Sequence, residues 1–391
     1  MLIRRLTVTG LLSFGPRGID LPMEPLTVLI GPNGSGKSNL LEVIALLRAA
    51  PRSLAEPVRR RGGVWEWLWK GDESPRVATL DTIVERPKGK AQIRHKLAFR
   101  DEGGRLSVTG EEITNIQDGR RDAESHHRLQ SGLVAVGAGG PRARPLGDRP
   151  VDPEESILSQ LRDPLDYPAL GWLQEQYERI CLYRNWSFGP TAGLRRDQSA
   201  HGPTDFLNDG ADNLALVLSH FKGDAKRRLV EALHELYEGI VDVSCPVTGG
   251  AVALFLEERD ARGEHDGRQI PASLLSDGTL RYLSLLATLL HPSPPPLIGL
   301  EEPELGLHPD IVAEVAKLLV EASTRTQIVV TTHSRMLVDA LTDYPSSVVV
   351  CEKDGGESRF ERLDGRRLRA WLDKYSLGEL WSSGELGGNR W

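Results

Sequence analysis

The feature that most constrains this chain is an eight-residue stretch near its start, Gly31-Pro32-Asn33-Gly34-Ser35-Gly36-Lys37-Ser38. It follows an apolar run, 26–30, that is typical of a buried strand, and it precedes residues whose apolar positions recur at helical spacing. The stretch fits the pattern G-x-x-x-x-G-K-[ST], in which a turn between a strand and a helix N-terminus directs several backbone N–H groups at one anion. We therefore predict a phosphate-binding loop within an α/β fold.

Individual residues of this loop have separate predicted roles. Gly34 and Gly36 allow backbone turns that a Cβ would block. Lys37 is predicted to reach the β and γ phosphates of a nucleotide, and the Ser38 hydroxyl is predicted to bind Mg²⁺. Asn39, the next residue, completes the predicted nucleotide site. The alternative is a chance match in a glycine-rich chain, and the strand before the loop and the helix after it argue against that alternative.

Composition and charge exclude several classes of protein. The chain has 391 residues, 39% of them hydrophobic and 26% charged, which is ordinary for a globular protein. Its net charge of −7 gives no global basic field of the kind that marks many nucleic-acid binders, although a local basic face stays open. Three distant cysteines match neither a disulfide framework nor a zinc site, so we expect structural thiols. No apolar stretch is as long as a membrane span and no signal-peptide core follows Met1, so we expect a cytoplasmic protein without membrane attachment.

The order of apolar and polar residues divides the chain into regions. Residues 1–120 read as strands around the phosphate loop, including an antiparallel β subdomain. In 121–152 glycine, proline and arginine replace apolar residues, which predicts a flexible loop, and 153–239 has the spacing of a mostly helical lobe. Residues 240–391 alternate helix and strand, as in a largely parallel sheet. The predicted fold is thus α/β, with a mixed sheet, an antiparallel subdomain and an inserted helical lobe.

Three local predictions concern the regions between the motifs. Trp65, Trp67 and Trp69 alternate, which on a strand would place three indoles on one face. Residues 167–183 read as a helical segment, and 209–221 read as a clearer helix with an apolar stripe.

A pair of acids later in the chain complements the phosphate loop. The apolar run 297–300 ends in Glu301-Glu302-Pro303, the Walker B arrangement of a strand followed by two carboxylates. The carboxyl ends of parallel strands meet at one edge of a sheet. Glu301 is therefore predicted to hold the Mg²⁺ shell, and Glu302 is predicted to orient and polarise an attacking water. The alternative is a solvated helix start that carries two acids.

Two further motifs carry candidate phosphate contacts. In Leu275-Ser276-Asp277-Gly278-Thr279, Ser276 and Gly278 open a predicted helix and form a second anion cradle, with a plain helix cap as the alternative. In Thr331-Thr332-His333-Ser334, at the end of the next strand, His333 can hydrogen-bond a γ-phosphate or its water. A lone histidine is usually structural, and the neighbouring motifs make this one a candidate.

Taken in their order, these motifs resemble those of the ABC-type ATPases. Within that class the chain resembles the soluble RecF/SMC-like branch, which includes the ATPase part of the overcoming-lysogenization-defect proteins and bacterial proteins named AAA family ATPases. The resemblance is carried by GPNGSGKS, LSDGT, the acid pair with its continuation Pro303–Pro309, TTHS, and the opening strand and turn over 6–15. It covers roughly residues 1–110 and 240–350 and is weak between them.

The resemblance implies a mechanism in which ATP is sandwiched between two heads. One head supplies the phosphate loop and Walker B, while Ser276 and Gly278 of a second copy contact the γ-phosphate. The segment 304–308 would meet its symmetry mate, Glu302 and His333 would be catalytic, and ATP and Mg²⁺ would be the cofactors. ATP then closes a homodimer, and hydrolysis releases it.

The chain departs from the family pattern in three places. Glu301 stands where aspartate is usual, so contact with Mg²⁺ can be direct or through water, and hydrolysis can be slow. Asp277 and Thr279 replace the glycine and glutamine of transporter signatures. The glutamine loop has no clear counterpart, and Gln92 fits it poorly.

The resemblance also implies a biological setting. Relatives act in DNA repair or in antiphage defence beside a separate, co-encoded nuclease or toxin, and this sequence has no nuclease motif of its own. DNA contacts are proposed for clustered arginines, with a solvated surface as the alternative in each case: Arg59, Arg60, Arg61, Arg195, Arg196, Arg366, Arg367 and Arg369. A nucleotide-binding switch with little hydrolysis stays open, and the ATPase subunit of a transporter is disfavoured by the continuation after the acid pair.

Overall fold

The structure is a computed structural model that describes residues 1–71, 77–87, 91–117, 120–130, 133–136, 151–259 and 268–387. The chain forms two compact units, each assembled from separate segments. Unit 1 comprises Met1–Ile180, Pro345–Ala370 and Leu380–Trp391. Unit 2 comprises Cys181–Tyr344 and Trp371–Glu379.

Numbered along the chain, the strands are β1 (Ile3–Thr9), β2 (Ile19–Pro22), β3 (Leu26–Ile30), β4 (Ala78–Val84), β5 (Gln92–Glu102), β6 (Arg105–Gln117), β7 (Arg120–Gln130), β8 (Leu133–Val136), β9 (Cys181–Tyr183), β10 (Gln198–Ser199), β11 (Ile240–Ser244), β12 (Val247–Thr248), β13 (Ala251–Val252), β14 (Phe255–Glu258), β15 (Arg268–Pro271), β16 (Leu297–Glu301), β17 (Gln327–Thr331), β18 (Val348–Asp354) and β19 (Glu357–Arg362). The helices are α1 (Lys37–Ala49), α2 (Ala55–Arg60), α3 (Ile157–Gln160), α4 (Pro168–Glu178), α5 (Leu214–Leu218), α6 (Gly223–Leu236), α7 (Asp277–Leu289), α8 (Pro309–Ser323), α9 (Arg335–Asp339), α10 (Gly365–Leu372) and α11 (Leu377–Ser382).

Unit 1 contains the predicted antiparallel subdomain. Its sheet has the order β2-β1-β4-β5-β6-β7-β8. In β4, buried and half-buried residues alternate, because one face of the strand packs on the core and the other faces outward. The first part of the predicted flexible loop 121–152 lies in β7 and β8, since β7 pairs with β6 over most of its length. Residues 137–150 of that prediction lie outside the described residues.

Unit 1 also positions the phosphate loop. β3 is buried along its whole length and pairs in parallel with β18, which in turn pairs antiparallel with β19. This is the predicted mixed parallel and antiparallel arrangement. Helix α1 starts at Lys37 and buries Leu40, Leu41, Ile44 and Leu47, as the helical spacing predicted.

Unit 2 is built around parallel strands. β16 pairs in parallel with β17 on one side and with β9 on the other, and its residues are buried up to Glu301. Helices α7 and α8 bury apolar residues in the same unit. Two small antiparallel sheets, β10-β13-β12 and β11-β14-β15, complete it. In the described part of the chain, no helix has both the length and the apolar character needed to span a membrane.

Several local predictions differ from the structure. The predicted helix over 167–183 ends at Glu178, and residues 181–183 instead form β9. The predicted helix over 209–221 is limited to α5. The tryptophan run is not a strand, because Val64–Glu66 forms a 3₁₀ turn that buries Trp67 and leaves Trp65 exposed.

The cysteines behave as expected of structural thiols. Within the part of the chain that the structure describes, Cys181, Cys245 and Cys351 form no disulfide bond, and the first and last are buried. Burial raises the pKa of the Cys245 thiol to about 12, which keeps this thiol protonated and unreactive at neutral pH.

Candidate nucleotide site

The phosphate loop of unit 1 depends on glycine at two crowded positions. Gly31 has φ +141° and Gly36 has φ +101°, in the region that favours glycine. A Cβ on Gly31 would lie 2.1 Å from the Cys351 carbonyl oxygen, and one on Gly36 would lie 2.1 Å from the Ser358 hydroxyl oxygen. The loop is therefore a tight turn whose backbone is held against β18 and β19.

The side chain of Lys37 folds back into this turn and bonds to its backbone. Its Nζ donates hydrogen bonds to the carbonyl oxygens of Gly31 at 2.8 Å and Pro32 at 3.0 Å, and the residue is buried. The ammonium group thus lies within the loop at the start of α1, where the helix N-terminus adds its own positive potential. This arrangement concentrates positive charge and N–H donors at one point, as phosphate binding requires.

A small hydroxyl network ties the loop to the opening segment of the chain. Asn39 Nδ2 donates to Ser13 Oγ at 2.7 Å, and Ser358 Oγ lies 2.6 Å from Ser13 Oγ and 2.7 Å from the Ser35 carbonyl oxygen. Sequence reasoning included Asn39 but missed Ser13 and Ser358. Ser13 lies in the opening segment 6–15, which carried part of the family resemblance, whereas no sequence pattern indicated Ser358.

A cleft of about 810 Å³ lies beside this network in unit 1. Its lining includes Ser13, Asn39, Arg61, Trp69, Lys353 and Gly356. The volume and the mixture of polar groups with one indole suit a nucleoside next to the phosphate loop. No sequence pattern predicted this cleft.

The Walker B acids lie at the end of β16 in unit 2. Glu302 has φ +46°, a backbone conformation that residues other than glycine rarely adopt. Its backbone N–H donates to the Thr331 carbonyl oxygen at 2.9 Å. The backbone therefore turns sharply immediately beyond the strand end. The Glu301 carboxylate accepts a hydrogen bond from Arg184 Nε at 2.9 Å.

His333 and Glu302, which were predicted separately as catalytic residues, lie close together. His333 Nε2 is 3.8 Å from Glu302 Oε1, and the two side chains are 37% and 38% exposed. Both groups are therefore accessible to a ligand from solvent. An imidazole and a carboxylate at this spacing can contact the same water or phosphate oxygen.

Glu304 holds the backbone of His333 in place through a hydrogen bond. Its Oε1 accepts a hydrogen bond from Thr332 Oγ1 at 2.5 Å and from the His333 backbone N–H at 3.2 Å. Burial raises the pKa of the Glu304 carboxyl, and the hydrogen bond from Thr332 opposes this shift. Burial also lowers the pKa of the Arg281 guanidinium, which the carboxylates of Glu304, Asp277 and Glu302 oppose. Sequence reasoning gave Glu304 no role of its own.

Replacing Glu304 with glutamine is expected to make the free energy of unfolding rise relative to wild type as pH increases. Glutamine retains an acceptor oxygen for Thr332 but cannot ionise. A carboxyl whose pKa is raised on folding stabilises the fold below its unfolded pKa, and this contribution is lost as pH rises through the folded pKa. The variant should therefore gain stability relative to wild type between pH 4 and pH 8. Urea unfolding at both pH values measures this, and a pH-independent difference would contradict it.

The signature helix α7 starts with a capped turn. Ser276 Oγ accepts from the Thr279 N–H at 3.1 Å and lies 2.8 Å from Thr279 Oγ1. A Cβ on Gly278 would lie 3.0 Å from the Gly306 carbonyl oxygen, so the helix start packs closely against the segment 304–308. The predicted signature residues and the segment predicted to meet its symmetry mate thus lie together in unit 2.

Arg195, a predicted DNA contact, is instead a structural residue of this turn. Its guanidinium donates to the carbonyl oxygen of Leu275 at 2.6 Å and to Asp277 Oδ1 at 2.5 Å, and its side chain is 8% exposed. The other predicted clusters differ in exposure. Arg59, Arg60 and Arg61 each pair with a glutamate. Arg366 and Arg367 both pair with Asp364 and lie on α10, a helix without buried residues.

Each unit supplies one predicted Mg²⁺ ligand. Among the described residues, no cluster of three or more histidine, cysteine, aspartate or glutamate side chains could hold a metal ion. The predicted ligands are one hydroxyl, on Ser38, and one carboxylate, on Glu301. Oxygens of both kinds are ligands that Mg²⁺ prefers, and Mg²⁺ usually takes its remaining ligands from phosphates and water.

Comparisons with known proteins give consistent likenesses. A sequence-family model described as "AAA domain, putative AbiEii toxin, Type IV TA system" matches residues 26–104 and 191–339. The DNA replication and repair protein RecF of Synechococcus sp. (strain JA-3-3Ab) is 35% identical over 183 residues, which is 46% of this chain and 40% of that relative. The chain therefore matches less than half of the length of RecF.

Solved structures show the same fold at low sequence identity. An SmcHead bound to the C-winged helix domain of ScpA has a TM-score of 0.57 at 15% identity, over 94% of this chain and 99% of the other. An Smc head domain with an extended coiled coil, bound to the C-terminal domain of ScpA and derived from Pyrococcus furiosus, has a TM-score of 0.56 at 14% identity, over 95% and 98%. The predicted P-loop head fold is confirmed.

Proposed function

This chain belongs to the AAA-domain family matched above, within the RecF/SMC-like ABC-type ATPases, and from that premise we propose that it is an Mg²⁺-dependent ATPase that works as an ATP-closed homodimer. The observation that carries hydrolysis, beyond nucleotide binding, is the strained Glu302 at the end of β16 with His333 Nε2 3.8 Å from its carboxylate. Strain of this kind is retained where the surrounding structure holds a reactive group in one direction.

The proposed residues divide into those that bind Mg²⁺–ATP and those that act on the attacking water and the γ-phosphate. Lys37 and the N–H groups of the loop bind the β and γ phosphates, and Ser38 and Glu301 hold Mg²⁺, which when bound neutralises charge on the phosphates. Glu302 accepts a hydrogen bond from the attacking water and orients it for in-line attack. His333, held through its backbone by Glu304, donates a hydrogen bond to a γ-phosphate oxygen.

The proposed homodimer places Ser276 and Gly278 of a second copy against the γ-phosphate. Two exposed apolar residues of unit 2 support an interface near these motifs. Leu274, just before the signature, is 68% exposed, and Leu305, in the segment 304–308, is 58% exposed. Large apolar side chains at such exposure are natural anchors for a partner surface.

A mixing experiment tests the proposal, because it requires each ATP site to combine two copies. Lys37→Ala disables the loop and Ser276→Arg disables the signature, so each variant alone should be inactive. In an equal mixture, heterodimers contain one intact site, and ATPase activity should recover to about a quarter of wild type. Activity is measured as phosphate release after mixing the purified proteins.

The control is a mixture of Lys37→Ala with the double variant Lys37→Ala/Ser276→Arg, which has no intact loop and should stay inactive. If ATPase activity does not recover in the mixture of Lys37→Ala with Ser276→Arg, the sandwich model is excluded. Full activity of Ser276→Arg alone would exclude a signature role for Ser276.

Closing of the ATP-bound homodimer must act on some target molecule. We propose that it acts on DNA or on a separate effector protein such as a co-encoded nuclease or toxin. RecF, by its name, acts in DNA replication and repair, and the family description names a toxin system. Arg366 and Arg367, with side chains 95% and 84% exposed on α10, are the arginines best placed to contact DNA phosphates.

A nucleotide switch with little hydrolysis is a second candidate function. The observation that favours it is the ion pair between Glu301 and Arg184, because this carboxylate would have to hold Mg²⁺ during hydrolysis. ATP-dependent dimerisation without phosphate release would support the switch.

A further inference from the structure

Arg184 faces the first Walker B acid because of strand register. β9 pairs in parallel with β16, with Cys181 opposite Ile298 and Tyr183 opposite Leu300. The next residues in this register are Arg184 and Glu301. Paired residues on neighbouring strands direct their side chains to the same face, so the side chain of Arg184, just after β9, meets that of Glu301, the last residue of β16.

The contact is a charge-assisted hydrogen bond in a partly buried setting. Arg184 Nε lies 2.9 Å from Glu301 Oε2, and the side chains are 23% and 19% exposed. Partial exclusion of water strengthens such a pair relative to one at the surface. The backbone of Arg184 is fixed by β9, whose Tyr183 is buried and donates its hydroxyl to the Leu207 carbonyl oxygen at 3.1 Å.

We propose that Arg184 is a positioning residue that neutralises Glu301 and thereby sets the Mg²⁺ concentration at which the head binds Mg²⁺–ATP. This inference rests on the proposed ATPase function. A guanidinium group and a divalent cation repel each other at one carboxylate, so Mg²⁺ binding must weaken or displace the ion pair. Glutamate in place of the usual aspartate adds one methylene, which gives the carboxylate the reach to turn between Arg184 and the metal.

The test measures binding and not turnover. A fluorescent, non-hydrolysable ATP analogue is titrated at a series of Mg²⁺ concentrations, and the Mg²⁺ midpoint of tight binding is recorded for wild type and for Arg184→Gln. The variant removes the competing positive charge, so its midpoint should fall about three- to tenfold. Arg184→Lys retains the positive charge but not the planar guanidinium group, so its Mg²⁺ midpoint should lie between those of wild type and Arg184→Gln. This variant also provides a test if Arg184→Gln folds poorly.

Arg228→Gln is the matched control. Arg228 pairs with Glu321 in the same unit, with side chains 27% and 51% exposed, and it contacts none of the proposed ligands. Its loss should leave the Mg²⁺ midpoint at the wild-type value, and thermal melting of all variants establishes that they are folded.

A second arm tests whether Arg184 acts through Glu301. In a Glu301→Gln background, Arg184→Gln should cause no further shift of the midpoint, because the group that it neutralises is gone. An equal shift in both backgrounds, or an unchanged or higher midpoint in Arg184→Gln alone, would overturn the inference while leaving ATP binding established. If wild type binds no ATP analogue at any Mg²⁺ concentration, the proposed function fails and this inference fails with it.

Discussion

Replacing Glu302 with glutamine is expected to lower the ATP turnover number about 100- to 1000-fold while ATP affinity stays near that of wild type. Glutamine has nearly the same shape and keeps a hydrogen-bond acceptor for the water. It lacks the negative charge that polarises the water and receives its proton. The effect should therefore appear in the chemical step, as a slow single-turnover rate with normal binding.

The same variant should accumulate the closed dimer. If hydrolysis opens the heads, a head that binds ATP without cleaving it shifts the population toward the closed state. Size-exclusion chromatography with light scattering should show a stable dimer for Glu302→Gln with ATP and a monomer without nucleotide. Glu314→Gln is the control, since Glu314 pairs with Lys317 on α8 and has no part in the proposed chemistry.

Two results would contradict the assignment of Glu302. Turnover within about twofold of wild type would remove Glu302 from the chemical step. A Glu302→Gln protein that stays monomeric with ATP, despite measured ATP binding, would remove the sandwich model and would favour a switch that acts within a single head.

The parts of the site that the sequence predicted are those set by local backbone requirements. The loop before α1 needs glycine at Gly31 and Gly36 because the β18 carbonyl and the Ser358 hydroxyl leave no room for a Cβ, and glycine is visible in the sequence. The apolar run of β16 followed by two acids, and the capped start of α7, are equally local. Such patterns can be recognised without knowledge of the tertiary contacts.

The parts that the sequence did not predict depend on long-range pairing. β9 is three residues long and follows a helix, so its apolar residues read as a continuation of that helix until pairing with β16 distinguishes them. The contact between Arg184 and Glu301 joins residues 117 positions apart. The role of Glu304 could not be predicted for the same reason, because it depends on contacts with Thr332 and His333, which follow β17.

Replacing Lys37 with alanine is expected to weaken ATP binding at least about 100-fold. The ammonium group is the one side-chain charge that the proposed mechanism directs at the β and γ phosphates from inside the loop. Alanine removes it without adding bulk to a crowded turn. Isothermal titration calorimetry with a non-hydrolysable ATP analogue measures the change, and Lys317→Ala, an exposed lysine on α8, serves as the control.

Lys37 also stabilises the loop itself through its two hydrogen bonds, and this second role must be separated from the first. Loss of its hydrogen bonds to the Gly31 and Pro32 carbonyls should cost about 1 kcal/mol each in unfolding free energy without nucleotide. Bound ATP at 100 times its dissociation constant should stabilise wild type by about 2.7 kcal/mol through linkage. At the same ATP concentration, Lys37→Ala should therefore lose the first term and most of the second, whereas a residue that only braced the loop would lose the first and retain the ATP-dependent gain. An undiminished gain in Lys37→Ala would mean that the loop is not the phosphate site, and the assignment of Ser38 and Glu301 to Mg²⁺ would then lose its basis.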